Sequence, residues 1–591
     1  MPPSRSTAWV ACALLVALAA CTTGRPGSAD RENSGAVRTF GPQGVGSKDP
    51  TLTGPAAEVD GATSGGTLTV YLPSAPGPDT LDPTDAQSAP GNAIQQALVS
   101  RSLTQYARGD EGQPVLVPDL ATDLGTPNDD FTEWTFTIRD DATWEDGSPV
   151  TADDVAFGIC RSLDTEAFPS GPGNEFSTHY FAGADDYDGP YTGQDPECDG
   201  WDGVTVDGQD VTIAMTRPFP DMDYYGAMMV MGPAPRGSAS EPTRYAQRPM
   251  ANGPYKVERW QPDEELVLVR NEEWEGASDP ARHQYVDTFV FKFSQDQAKV
   301  DEIMLSGNAA SRTAVATSLS ASRYQEANDR LGQRLVHQTS QCVATITPDY
   351  RKITDIRVRK ALAYAYPAED TWLAAGDVPG VTRVRAGSLM PPGMPGQSDF
   401  RIDGEPLTYD PERARELLAE AGYADEPYPI TMAYNSIDAR ASAMQEQVTT
   451  GLEAGGFSVR SIPVQGSTYS VWTDPDNKVN QLLNLRGVGW CPAWPAGSAL
   501  LPPLLKSGAP FNTAHFDEPA VDAAMDAIAE LPIDEQADAW GDLDEMILER
   551  YFPIIPVAYM NHLFVFGDQV GNPSGDAAAS APNYKDLFVL R

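Results

Sequence analysis

The sequence predicts an α/β protein made of separate lobes, not a β-sandwich, a helical bundle or a repeat array. Three observations carry this expectation. Short alternating strands and capped helices follow one another along the chain. No segment recurs at a fixed period. At 591 residues the chain exceeds what one hydrophobic core serves, so two to four domains are expected.

The elements are legible in order. Thr67 to Tyr71 alternates after a glycine pair and reads as the first strand. Trp134, Phe136 and Ile138 alternate within Glu133–Arg139, a second strand, and Asp146-Gly147 turns the chain. A helix then opens on Thr151-Ala-Asp-Asp154, a capping-box pattern. Val155, Ala156, Ile159, Cys160 and Leu163 form its apolar face and carry Cys160 inward. Near 410 Asp410 caps, Pro411 takes the first helical position, Ala414, Leu417, Leu418 and Ala421 make the stripe, and Gly422 ends it. Helices at about 517–530 and 534–550 precede a strand at Ile554–Tyr559.

Composition removes several functions. Hydrophobic residues make up 41% and aromatic residues 9%, enough for true cores. The 51 Gly and 51 Pro favour turns and helices of modest length. Lys and Arg number 41 against 84 Asp and Glu, for a net charge of −43. That field repels a phosphate backbone over most of the surface, so no nucleic-acid partner is expected.

The N-terminus reads as an export signal. Arg5 is a minimal positive region, and the uncharged run Ala8–Ala20 is too short to span a bilayer, which takes roughly 20 residues. Leu18-Ala19-Ala20-Cys21 resembles the lipobox of bacterial lipoproteins, in which the cysteine is lipidated and becomes the new N-terminus. Two acyl chains on Cys21 would hold the protein stably on the outer face of the cell membrane. Residues 1–20 are then a lipoprotein signal and 21–65 a disordered tether. Gly, Pro, Ser and Thr fill 23 of the 44 positions from 22 to 65, and large apolar residues are few. A coil of that length spans on the order of 35 Å.

With Cys12 in the signal and Cys21 lipidated, Cys160, Cys198, Cys342 and Cys491 remain. An even number in an exported chain suggests two disulfides and allows three connectivities, of which Cys160–Cys198 with Cys342–Cys491 is preferred. By chain entropy these loops would contribute at most about 4 and about 5 kcal/mol.

Catalytic signatures are missing. The chain has no G-x-S-x-G, H-E-x-x-H, P-loop or strand-associated G-x-G-x-x-G. His179, His283, His337, His515 and His562 are scattered without an i, i+4 pair. The acidic run Asp185-Asp186-Tyr187-Asp188-Gly189 fails as a calcium loop, because Ala184 falls where the first ligand belongs. No metal, no cofactor and no enzymatic activity are expected.

An ordered series of blocks resembles the family 5 extracellular solute-binding proteins, the oligopeptide and dipeptide receptors of bacterial ABC importers. The blocks are Leu81-Asp82-Pro83, Leu116–Ala121, Trp134–Arg139 running on through Thr143–Gly147 to Val150–Val155, Asn252–Tyr255 and Leu266–Asn271. In the second half come Ile356–Leu362, Tyr409–Leu418, Gly489-Trp490-Cys491 and Asn512–Phe516. Most of them are structural and identify the fold without forming the site.

The resemblance implies a two-lobed periplasmic-binding-protein-like fold (type II, the large peptide-binding cluster) with an extra domain on lobe one. Mapped here, domain I is 66–105, 206–340 and 555–591, domain II is 106–205, and domain III is 341–554. This mapping supports the Cys342–Cys491 pairing. It implies a monomer that captures a small solute, a peptide or peptide-like molecule, in an interlobe cleft. The solute is delivered to a membrane permease with its ATPase.

It also implies site residues. Gly489, Trp490 and Cys491 line the ligand channel. Two residues after the cysteine, where oligopeptide binders place an aspartate against the peptide amine, stands Ala493. Trp490 and Trp494 are candidate stacking walls, and Tyr469 and Trp472 candidate cleft aromatics. Asp82, Ser88, Ala89 and Pro90 follow the first strand, where strand ends commonly meet ligands. His515 reads as structural. Ala493 keeps a non-peptide solute open, such as an oligosaccharide, siderophore or metal chelate. A signalling receptor could use the same cleft without transport. A lipid-anchored hydrolase is disfavoured, because no nucleophile–base pair shows a motif.

Overall fold

The computed structural model describes residues 38–40 and 46–591, except 74, 87, 111, 399–400 and 402–403. The signal 1–20, Cys21 and the first part of the expected tether lie outside the described residues.

One ten-stranded mixed sheet runs through the body. Its order is Arg38–Phe40, Leu335–Pro348, Ile555–Phe566, Ala314–Ala316, Thr67–Pro73, Thr288–Gln295, Glu265–Arg270 and Tyr255–Gln261. Leu485–Trp490 joins Leu335–Pro348, and Arg383–Arg385 joins Ile555–Phe566. Thr67–Pro73 is parallel to both neighbours and buried on alternate residues (Leu68, Val70, Leu72), which sets it in the middle of its core.

Two long antiparallel strands serve two cores. Val336 and Phe564 pack with Leu68, Phe289 and Phe291. Farther along the same strands, Val343, Ile346, Val557 and Ala558 pack with Leu362, Leu452 and Leu548. Their register breaks between Thr339 and Val343, between the two cores. An irregularity there bends the paired strands and lets one core turn relative to the other.

A third core gathers residues from 103 to 231 around a four-stranded antiparallel sheet, ordered Thr126–Pro127, Glu133–Thr137, Asp210–Ala214, Val204–Asp207. Trp134 and Phe136 point inward, as their alternation predicts. The helix Ala152–Arg161 covers this core, started by the Thr151–Asp154 capping box, and buries Val155, Ile159 and Cys160. The boundary expected at 205/206 is corrected here. It falls inside the hairpin Val204–Asp207 with Asp210–Ala214, whose cross-strand pairing keeps both strands in one body.

The helix Pro411–Glu420 is capped by the Asp410 carboxylate, which accepts from the Glu412 and Arg413 amides, and Gly422 follows in left-handed backbone. Helices Pro519–Ala529 and Ile533–Arg550 precede the strand at Ile555. Both disulfides of the preferred pairing are present, Cys160–Cys198 and Cys342–Cys491.

The second half of the tether is also corrected. Ser47–Lys48 pairs in parallel with Val115–Leu116, and the Lys48 ammonium sits 2.6 Å from the Asp223 carboxylate. The Ala56 amide donates to the Asp279 carbonyl, and the Thr63 hydroxyl to the Val589 carbonyl. A segment with few large side chains is held by backbone hydrogen bonds to a surface already built by others, which composition cannot register. No helix among the described residues is long and apolar enough to cross a membrane.

Candidate functional site

The strand Leu485–Trp490 forms one side of the site. It pairs antiparallel with Val343–Pro348, from Val343↔Trp490 to Pro348↔Leu485. Leu485 and Val488 are buried in the adjoining core, while Gly487 and Gly489 leave the other positions bare. A Cβ at Gly487 would lie 3.7 Å from the Trp472 ring, and one at Gly489 would meet nothing within 4 Å. Among the described residues no strand pairs with the far edge of Leu485–Trp490.

Aromatic rings wall this open strand. The Trp490 indole N–H donates to the Ala499 carbonyl at 2.9 Å, and its ring lies 4.7 Å from Phe511. Phe511 stacks with Tyr469 at 6.0 Å, and Tyr469 is 38% exposed. Tyr469 and Trp472 share the short helix Thr468–Trp472. The Trp472 indole nitrogen is buried and has no hydrogen-bond partner among the described residues. Gly489, Trp490, Tyr469 and Trp472 therefore lie along this one strand and its aromatic wall. Phe511 is a wall residue that sequence reasoning missed, although it directly precedes the recognisable block Asn512–Phe516.

Cys491 closes the strand through its bond to Cys342, with Cα atoms 4.1 Å apart. Beyond it Ala493 is exposed, and Trp494 crosses into the third core. Its ring lies 4.9 Å from Phe176, 5.8 Å from Phe219 and 6.4 Å from Tyr225. Ser498 donates to the Asp221 carboxylate, whose pKa burial pushes up. Trp494 is corrected as a ligand wall. Only 4% of it is exposed, because three aromatic rings of another core enclose it.

The loop after the first strand is corrected in part. Asp82 is buried, its carboxylate 2.6 Å from the Arg161 guanidinium, and it accepts the Thr84 amide. With two bonds from Arg161, one from Thr84 and 1% exposure, the carboxylate is held by the interior, where it neutralises Arg161, and does not face a solute. Ser88 caps the helix Ala89–Leu98 by accepting the Gly91 amide, and Pro90 sits in its first turn. Ala89 is exposed. This loop adjoins the segment 161–171, where Ser170 donates to Asp85 and Gly171 leaves no room for a Cβ beside the Thr84 carbonyl. A few residues on, Phe176 reaches Trp494, so the two candidate loops flank the stretch 161–176.

His515 lies 3.8 Å from Asp349, and its pKa is pushed down to about 4, first by burial and next by Arg351. It is neutral near pH 7, beside a network in which Arg486 bonds Asp349 and Asn480.

Bodies joined by two long paired strands, with an aromatic wall and a free strand edge where they meet, define a two-lobed solute-binding protein. The chain belongs to the bacterial extracellular solute-binding proteins, family 5, whose middle region matches residues 115–512. It is 23% identical over 534 residues to the periplasmic oligopeptide-binding protein OppA of Escherichia coli (strain K12), covering 87% of this chain and 91% of that one. Its fold superposes on the clavulanic acid biosynthesis oligopeptide binding protein 2 with a TM-score of 0.79 at 24% identity, covering 92% and 99% of the two chains. The unliganded open form of the murein tripeptide-binding protein MppA superposes with a TM-score of 0.69 at 19% identity, covering 90% and 99%. These relatives are substrate-binding transport proteins, not enzymes.

Proposed function

We propose that this protein captures peptides between its lobes and delivers them to the permease of an ABC importer, working as a monomer held to the membrane by lipid on Cys21. The observation that carries the reading is the free edge of Leu485–Trp490, bare at Gly487 and Gly489 and walled by Tyr469, Trp472, Trp490 and Phe511. An extended peptide backbone adds to such an edge by main-chain hydrogen bonds, and its side chains face the rings. The peptide specificity of the OppA and MppA relatives supports it. In this reading domain III is the body around Leu362 and Leu548, and the strands 335–348 and 555–566 are the crossing segments. A ligand touching both lobes favours the closed form by its differential affinity for closed over open.

A pool of random tetrapeptides offered to the purified protein, with retained members identified by mass, tests the reading. Retention together with a smaller radius of gyration supports capture by closure, whereas retention of oligosaccharides or metal chelates in place of peptides replaces the ligand class. Cys21→Ala tests the anchor: it should shift the protein from the detergent to the aqueous phase and abolish the diacylglyceryl mass increment.

A further inference from the structure

The first described stretch of the chain crosses from one core to another. Arg38–Phe40 pairs in parallel with Val336–Gln338. Ser47–Lys48 then adds to the edge of the sheet formed by Thr104–Arg108 and Pro114–Pro118, and the Asp49 amide donates to the Leu116 carbonyl. Tyr106 and Leu116 of that sheet belong to the third core. Lys48 fastens the stretch there, with its ammonium 2.6 Å from the Asp223 carboxylate and 4.0 Å from the centre of the Tyr224 ring. The Asp223 side chain is only 7% exposed, so losing this cation would leave a buried charge uncompensated.

Gly46 meets the other body. A Cβ there would lie 2.1 Å from Pro395 Cγ and 2.9 Å from its Cδ, so the backbone rests on the proline ring and only glycine fits. The Tyr224 hydroxyl donates to the Gly46 carbonyl at 3.1 Å and holds the glycine in place. Pro395 itself is fixed to the body around Leu362 and Leu548. Met390 and Met394 of its loop are buried in that core, and Asp544 accepts the Leu389 and Met390 amides. Gly396 leaves no room for a Cβ beside the Ala537 carbonyl. Three consecutive residues therefore touch two cores, Lys48 bound to one and Gly46 seated on the other. A second connection lies on the same short helix, Met222–Tyr225, and the residue before it: Asp221 accepts from Ser498, and Tyr225 packs beside Trp494.

We propose that Gly46–Lys48 is a clasp that fastens the body around Leu362 and Leu548 to the third core through the Gly46–Pro395 contact, and so favours the closed arrangement before any solute arrives. The proposal rests on the reading that these bodies close over a solute, and adds that the chain supplies part of the closing contact itself. A solute held by the closed form binds in proportion to the fraction already closed, so the clasp raises the apparent affinity.

A wedge and its relief test the clasp in the full-length protein. Gly46→Ala drives a methyl group into the Pro395 ring, and adding Pro395→Ala removes the two ring atoms it would strike. Small-angle scattering without solute should give a larger radius of gyration for Gly46→Ala, and the double variant should return toward the wild-type value. Retention of the random tetrapeptide pool should fall at least about threefold in Gly46→Ala and recover in the double variant. Melting temperatures are recorded for each. Where Gly46→Ala unfolds the protein, Tyr224→Phe, which removes only the hydroxyl donated to the Gly46 carbonyl, should give the same changes on a smaller scale. Equal radii for the wild-type protein and the folded variants overturn the clasp, and retention of the pool then leaves the peptide reading standing. A larger radius with undiminished retention overturns the part of the clasp in solute binding. A radius that responds to the wedge and its relief while no peptide is retained supports the clasp and overturns the peptide reading.

Discussion

Trp494 follows the strand Leu485–Trp490 on a loop anchored by Cys491 and sets its ring 4.9 Å from Phe176, inside the third core. The strand that bears the candidate residues Gly489 and Trp490 is thereby tied to the third core. The Ser498–Asp221 hydrogen bond and the buried Ala499 attach the same loop to that core.

Truncating the contact should loosen the junction. Trp494→Ala removes a ring that Phe176, Phe219 and Tyr225 enclose, and the expected loss is about 3–5 kcal/mol in urea unfolding. Small-angle scattering should show a larger radius for the variant without solute. Unchanged stability and an unchanged radius would mean that the contact is not held in solution.

The pair Arg161–Asp82 should behave as one unit. Arg161 also donates to Thr84 and to the Tyr191 hydroxyl, each at 2.7 Å. Arg161→Met leaves the Asp82 carboxylate buried alone and should cost about 3–5 kcal/mol, whereas Arg161→Met with Asp82→Asn should recover much of that loss. Chemical denaturation of the two variants and the double variant measures the coupling, and simple additivity would refute it.

Gly489 offers a substitution that spares the fold. A side chain there meets open space, and the backbone is not in the left-handed region, so Gly489→Phe should leave the melting temperature unchanged. The same ring would fill the space beside Trp490 and lower retention of the tetrapeptide pool at least tenfold. Full retention by this variant would place the solute elsewhere.

Asp544 ties stability to pH. Its buried carboxylate accepts the Leu389 and Met390 amides, yet burial pushes its pKa up from 3.8 to about 7. The folded state therefore favours the protonated acid. This contribution is complete below about 3.8 and is lost as pH rises to about 7, at about 1.4 kcal/mol per pH unit. Asp544→Asn stays neutral throughout, so its melting temperature should rise relative to the wild-type protein between pH 5 and pH 8. Parallel pH profiles would refute the assignment.

Much of the architecture could be read from the chain because its signals are local. The Thr151–Asp154 capping box, the Asp410-Pro411 start and the Trp134–Phe136 alternation each lie within ten residues, where hydrogen bonding and period decide the outcome. The site was legible only where a motif marked it. Gly489 and Trp490 came from a tripeptide, but Phe511 had no motif of its own. Trp494 and Asp82 misled for one reason: the partners that enclose them, Phe176 and Arg161, are separated from them by hundreds or tens of residues.

The sequence by itself determined the α/β class, the capped helices, the cysteines available for pairing and the family blocks, since these depend on neighbours along the chain. The tertiary structure alone decided which rings stay open, which are sealed in a core, and that residues 46–65 lie packed on the body. Each of those outcomes depends on desolvation by groups far away in sequence, and burial is a property of the assembled molecule.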